Sequence, residues 1–314
     1  MKRLGPGELD YVLAGIARSR APGFNFPGNY LQVAYDRVRK NAATLSLDAG
    51  PHCVDRDGQV NLGALALLAD MALAASLRES VGRYTRLATV SMNLQFTGAP
   101  RTGHLVAEAI YDGLVPGLAG EQGLARVEVR SGARLVCTGS GAFMAFLSRG
   151  QKLAHPMQAR SRSWRSPAVP AIEELTPEEA AIYSHAKRAL KASGQRSFLE
   201  NFWGYRPRAG RSGASATMPI APHTGNRLGH AQGGITLGLA TTTAAAALTG
   251  AGETVHWSLV AASAWYVGPG TGKRLRARST IVHRGGATAV VRTRIANDEG
   301  RAVLECVTSH ARTR

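Results

Sequence analysis

Cysteine is scarce in this chain of 314 residues: Cys53, Cys137 and Cys306 are the only three, and they lie far apart. An odd number at such distances excludes a disulfide framework and lacks the close clustering of a structural zinc site. A reducing compartment, the cytoplasm, is therefore the expected location. Apolar leader and membrane segments are also missing. Met1-Lys2-Arg3-Leu4-Gly5-Pro6-Gly7 begins with two positive charges but no apolar stretch follows, and no run approaches membrane-spanning length. Neither secretion nor a membrane partner is expected. Acidic residues are few: 21 Asp+Glu stand against 38 Lys+Arg, giving a formal net charge of +17. Arginine far outnumbers lysine. Such a field attracts polyanions. The charge fits nucleic acid, an anionic cofactor whose phosphates suit the planar fork of arginine, or plain solvation of outer faces. No helix-turn-helix, zinc-finger or aromatic RNA-binding signature accompanies it, so nucleic acid is not an expected partner.

What the chain does have is apolar content, 44%, enough for a sizeable core in one large or two ordinary domains. It also repeats itself. Asn61-Leu62-Gly63 opens an alanine-rich apolar stretch through Ala75, and Gln232-Gly233-Gly234 opens a second through Ala246, 171 residues later. Each reads as a helix buried on nearly every side. Strand-like runs ending in aromatics follow both, Thr89 to Phe96 and Trp257 to Tyr266. Gly/Pro turns come next, at Thr97–Gly103 and Val267–Gly272, and lead into alternating strands. In the first copy these are Leu105–Tyr111, a long loop over Asp112–Gly123, Leu124–Arg130 and Arg134–Phe146. In the second, the strand carrying Arg274, Arg276 and Arg278 turns at His283-Arg284-Gly285-Gly286, and Asn297-Asp298-Glu299-Gly300 makes the last hairpin.

Between the copies, Ser148 to Pro170 is basic, proline-punctuated and free of acids, as a linker would be. Thr176-Pro177-Glu178-Glu179 then signals the start of a short amphipathic helix that fades by Gly194. The expected organisation is a first unit over 1–147, a linker with a helix over 148–197, and a second unit over 198–314.

A glycine-opened, alanine-rich helix carrying an aspartate, preceded by a strand and followed by an antiparallel meander, resembles the hotdog fold. More narrowly, it is similar to the PaaI-type acyl-CoA thioesterases. The resemblance implies an α+β fold with two hotdog units in tandem, each a central helix wrapped by an antiparallel sheet. The family motif has a histidine and two glycines at the helix start, an aspartate nine positions later and an asparagine six positions earlier. Here the motif is divided: Asp70 follows Asn61 by nine residues, while Gln232-Gly233-Gly234 keeps the glycines, with Asn226 six residues before. Thr241 replaces the acid in the second copy. Because hotdog units pair so that each site draws on both, the resemblance implies one complete site of Asp70 with Asn226, Gln232, Gly233 and Gly234. The opposite site would hold Thr241 against Asp55, Asn61 and Leu62.

In that site Asp70 would activate water or attack a thioester directly, burial raising its pKa toward a working base. Gly233 and Gly234, at a helix start, would offer free N–H groups to the oxyanion. Asn226 and Gln232 would orient water or the thioester, and Thr89 would assist the acid. Gln232 replaces the family's histidine, removing a titrating ring but keeping hydrogen bonds. His230 reads as structural or as part of the entrance. Arg276, Arg278, Arg284 and Gly285 are candidates for the coenzyme A phosphates. No metal and no cofactor beyond coenzyme A as part of the substrate is implied, and a homodimer of double-hotdog chains stays open. Two functions compete: hydrolysis of a small or medium acyl-CoA at one composite site, and non-catalytic binding of acyl-CoA or another ligand. A hotdog dehydratase ranks below these, because neither motif position holds histidine.

Overall fold

The computed structural model describes residues 7–20, 25–118, 120–146, 167–192, 196–250 and 256–313, with the single residues 165 and 194. Most of the expected linker falls outside them. The first half begins with helices α1 (Glu8–Ser19) and α2 (Phe26–Tyr30). Strands β1 (Ala34–Arg39) and β2 (Ala42–Asp48), helix α3 (Leu62–Val81) and strands β3 (Arg86–Phe96), β4 (His104–Gly117), β5 (Gly120–Ser131) and β6 (Arg134–Phe146) follow. A short 3-10 turn at Ile172–Glu174 precedes α4 (Pro177–Lys191), and α5 (Phe198–Trp203) comes next. The second half continues with β7 (Arg208–Ala209), β8 (Gly213–Pro219), α6 (Gly233–Leu248), β9 (His256–Tyr266), β10 (Arg274–Arg284), β11 (Thr288–Asn297) and β12 (Ala302–Thr313).

All twelve strands form one antiparallel sheet in the order β1-β2-β4-β5-β6-β3-β9-β12-β11-β10-β8-β7. The two halves join edge to edge through β3 and β9, from Ser91 opposite Trp265 to Gln95 opposite Ala261. The sheet wraps α3 in one half and α6 in the other, and strands alternate accordingly. On β10, Leu275, Ala277 and Ser279 are buried beneath α6 while Arg274, Arg276 and Arg278 face out.

Neither central helix is amphipathic, because neither has a wet face. In α3, Leu65, Leu67, Leu68, Leu73 and Leu77 are fully buried. Each is a position where truncation to alanine costs roughly 2–5 kcal/mol. Asn61 caps α3 by accepting from Gly63 N at 2.8 Å, and Gly82, at φ 98°, ends it. The two helices touch where they begin. A Cβ on Gly234 would lie 2.4 Å from Leu67 Cα, and one on Gly238 2.7 Å from Gly63 Cα, so only glycine permits this crossing. One hydrophobic core therefore runs through both halves.

The repeat extends to the loops. Val54 bridges Val60 before α3, and Gly225 bridges Ala231 at the matching place before α6. In one stretch the chain differs from expectation. The glycines of Asp112–Gly123 suggest a long loop, but Gly113 through Gly117 continue β4 and pair with Leu124 through Gly120 of β5. Gly113 sits at a bulge, Gly117 and Gly120 flank the tight turn, and Gly123 leaves room for Leu77, whose Cδ2 would be 1.8 Å from a Cβ there. Between the central helices, α4 packs on α1 and α5, and Glu179 on α4 pairs with Arg20 at 2.8 Å. No described helix is long and apolar enough to cross a membrane.

Candidate active site

Asp70 lies mid-way along α3, buried, where the helix passes beneath the start of α6. Gln232 Nε2 donates to its Oδ2 at 2.7 Å and Thr89 Oγ1 to its Oδ1 at 2.9 Å. The Gly234 N–H is turned toward the carboxylate and helps to lower its pKa. Burial raises the carboxyl from 3.8 to about 6, the three donors holding it back from a larger rise. At neutral pH it is a carboxylate with the basicity of a working general base.

Each partner has a structural reason to be there. Gln232 is the N-cap of α6: its Oε1 accepts from Ile235 N at 2.9 Å, which fixes the amide so that Nε2 points at Asp70. A histidine could not bridge in this way without a fixed tautomer. Thr89 reaches the cleft because the β3–β6 register shifts between Thr89 and Ser91. That bulge reverses the strand's alternation and turns Thr89 to the same side as buried Met92 and Leu94. Gly233 faces the pair directly; a Cβ there would be 3.3 Å from both Asp70 Oδ2 and Thr89 Oγ1. With the Gly234 N–H turned toward Asp70 and the Ile235 N–H given to Gln232, the Gly233 N–H is the amide of this helix start with no acceptor beside it among the described residues. The two glycines thus divide the work that the sequence assigned to them jointly.

Asn226 lines the same cleft, yet its Oδ1 accepts from Leu228 N at 2.9 Å and His230 N at 3.2 Å. It shapes the loop that carries His230 to the cleft wall and makes no hydrogen bond to Asp70. His230 is held below its ordinary pKa, first by burial and then by Arg86.

The cleft measures about 990 Å³ and draws walls from both halves, including Met71, Ala74, Leu87 and Phe146. Arg37, Arg78, Arg83, Arg86 and Arg227 also line it. Arg78 donates to the Thr85 carbonyl, and burial, then Arg227, lowers its pKa to about 10. The guanidinium of Arg86 lies 4.8 Å over the Phe146 ring. Sequence reading passed over these arginines because they come from four separate segments. The four residues it named instead are not brought to the cleft. Arg276 and Arg278 occupy the outward face of β10, Arg284 lies at that strand's end with its guanidinium 6.0 Å from the Trp257 ring, and Gly285 is in the hairpin beyond. The alternation that buries Leu275 and Ala277 under α6 compels this outward placement.

The pseudo-equivalent site is closed. Asn61 Nδ2 donates to Asp55 Oδ1 at 2.7 Å, but Thr241 turns its hydroxyl back to Gly238 O at 3.1 Å. Trp203 and Tyr205, both fully buried, press on Gly63: a Cβ there would be 2.9 Å from the indole and 3.0 Å from the phenol oxygen. The Tyr205 hydroxyl donates to Ile235 O at 2.6 Å. Aromatic side chains therefore pack closely over the start of α3.

A model of the Thioesterase superfamily matches residues 228–304, from the loop before α6 into β12. No curated protein matches significantly. Among solved structures, a protein of unknown function with a hot dog fold from Alicyclobacillus acidocaldarius is 9% identical, with a TM-score of 0.55 over 88% of this chain and 95% of its own. The chain has the double-hotdog fold. A thioesterase candidate from Novosphingobium aromaticivorans superposes with a TM-score of 0.55 at 15% identity, covering 90% of this double hotdog and 99% of its own chain. The tesB protein of Mycobacterium avium subsp. paratuberculosis gives 0.51 at 15% identity, over 89% and 96%.

Proposed function

We propose that this double hotdog hydrolyses acyl-CoA thioesters, in the manner of the PaaI-type enzymes, at one composite site per chain. The observation that carries the reading is the Asp70 carboxylate of one half held by Gln232 and Thr89 beside the unengaged Gly233 amide of the other. In this reading the thioester carbonyl oxygen meets the Gly233 N–H at the positive end of α6. Asp70 takes a proton from water as the water oxygen bonds to the carbonyl carbon; collapse of the tetrahedral species then breaks the carbon–sulfur bond, and the departing thiolate takes the proton held by Asp70. If Asp70 instead bonds to that carbon itself, loss of the thiolate leaves an acyl anhydride on Asp70 that water then cleaves to the free carboxylate, its two protons going to the thiolate and to bulk water.

The arginines support a coenzyme A thioester in particular. Arg78 lies eight residues beyond Asp70 on the same helix, about 12 Å along its axis, with Arg227 close by. Two cations at that distance suit phosphates carried on an extended pantetheine arm. The apolar wall between Asp70 and Arg78, with Met71 and Ala74, would run along that arm.

The test is a panel of acyl-CoA thioesters assayed by thiol release. Hydrolysis that falls by roughly 100-fold or more in Asp70→Ala supports the reading. Saturable binding with no turnover in the native protein would instead establish a ligand-binding double hotdog.

A further inference from the structure

Behind the site stands a side chain with no place in the motif. Tyr266 ends β9, and its hydroxyl donates to the Gly233 carbonyl at 2.8 Å. That carbonyl and the Gly234 N–H are the two ends of one peptide unit, which partial double bonding keeps planar. The Gly234 N–H is turned toward the Asp70 carboxylate and helps to lower its pKa, and Gly233 itself packs against it, a Cβ there lying 3.3 Å from Asp70 Oδ2. The Tyr266 O–H, the Gly233–Gly234 peptide dipole and the Asp70 carboxylate are therefore in line, with the peptide packed against the carboxylate. A hydroxyl donating to the carbonyl draws electron density toward oxygen and makes the N–H at the other end a stronger donor. It also stops the peptide plane from turning about the helix start, where no residue before Gly233 is helical. The Gly233 carbonyl belongs to the hydrogen-bond ladder of α6 already, so the tyrosine is not needed to satisfy the backbone.

On the thioesterase reading of this site, we propose that Tyr266 is a positioning residue for Asp70, acting through the Gly233–Gly234 peptide. Its proton is committed to Gly233. Burial first, and the Asp70 charge second, hold the phenol well above its ordinary pKa, so it remains a donor wherever Asp70 is ionised.

Tyr266→Phe removes one oxygen and keeps the ring. Followed by carbon NMR of the Asp70 side chain in the full protein, the carboxyl midpoint should move up from about 6. The expected displacement is about half a pH unit, the weight of part of one hydrogen bond. The other charged groups sharing the cleft, Asp36, Arg37, Arg78, Glu79, Arg83, Arg86, Arg227 and His230, are untouched by the substitution. In acyl-CoA hydrolysis, kcat should fall about threefold to tenfold with KM unchanged, the pattern of a group acting on the chemical step. Site-specific 3-fluorotyrosine at 266, a stronger donor, should move the midpoint the other way, which keeps the test open if the phenylalanine variant folds poorly. A midpoint unmoved in both proteins overturns the proposal, as does a raised KM with kcat intact. A midpoint that moves in a protein whose native form has no hydrolytic activity upholds the coupling of Tyr266 to Asp70 and refutes only the thioesterase reading.

Discussion

Replacing Asp70 by asparagine should make the protein more stable near neutral pH while abolishing hydrolysis. The carboxyl is raised by burial from 3.8 to about 6, so folding favours its protonated form. Its unfavourable contribution is absent below the unfolded pKa of 3.8, grows as pH rises, and is complete above about 6. At about 1.4 kcal/mol per pH unit the charged form costs the fold about 3 kcal/mol. Asparagine removes the charge and preserves the geometry. Its oxygen can accept from Gln232 and Gly234, and its amide can donate to Thr89, whose hydroxyl oxygen also accepts. Urea unfolding at pH 7.5 and at pH 4 measures the difference. The variant should gain up to about 3 kcal/mol at the higher pH and little at the lower. Equal or reduced stability at pH 7.5 would refute the account of Asp70 as a desolvated carboxylate.

The same titration governs rate: kcat/KM should climb about tenfold per pH unit up to about pH 6 and then level off, measured with one acyl-CoA across the range. Gly234→Ala should cost about 3 kcal/mol or more in denaturant unfolding, because its Cβ would fall 2.4 Å from the backbone of Leu67, which cannot swing aside. Arg78→Ala or Arg227→Ala should raise KM about tenfold with kcat nearly intact, whereas the pair Arg276→Ser and Arg278→Ser should leave both unchanged. Equal effects from the two sets in steady-state kinetics would break the assignment of the cleft arginines.

The fold was legible because both central helices lack a polar face and start at matched caps, a pattern that survives 171 residues of separation. The acid and the Gln-Gly-Gly entry were legible for the same reason. Other features depend on neighbours that no local pattern reveals. The reach of Thr89 into the cleft comes from a bulge opposite β6, and the glycine-rich Asp112–Gly123 stretch became strand because β5 pairs with it. Helix α2 is five residues long and contains Pro27 and Gly28, too short a run to carry a period, and α1, whose Leu9, Val12 and Ile16 do recur at helical spacing, lies outside both copies of the repeat. The cleft arginines were hidden among the many others, since charge on one wall is a property of the folded surface. Trp203 and Tyr205 gave no sign of closing the opposite site, because that role exists only once α5 lies against Gly63.

The aromatic plug over Gly63 is a change that only a fused chain can accept. In a symmetric dimer of identical units, one codon would place the same two rings over both helix starts, and a mutation blocking one site would extinguish the other. Here each half is inherited under its own selection. Gln232 and Asn61 have been free to become different residues, and the side of Gly63 holds aromatic bulk that the side of Gly234 does not.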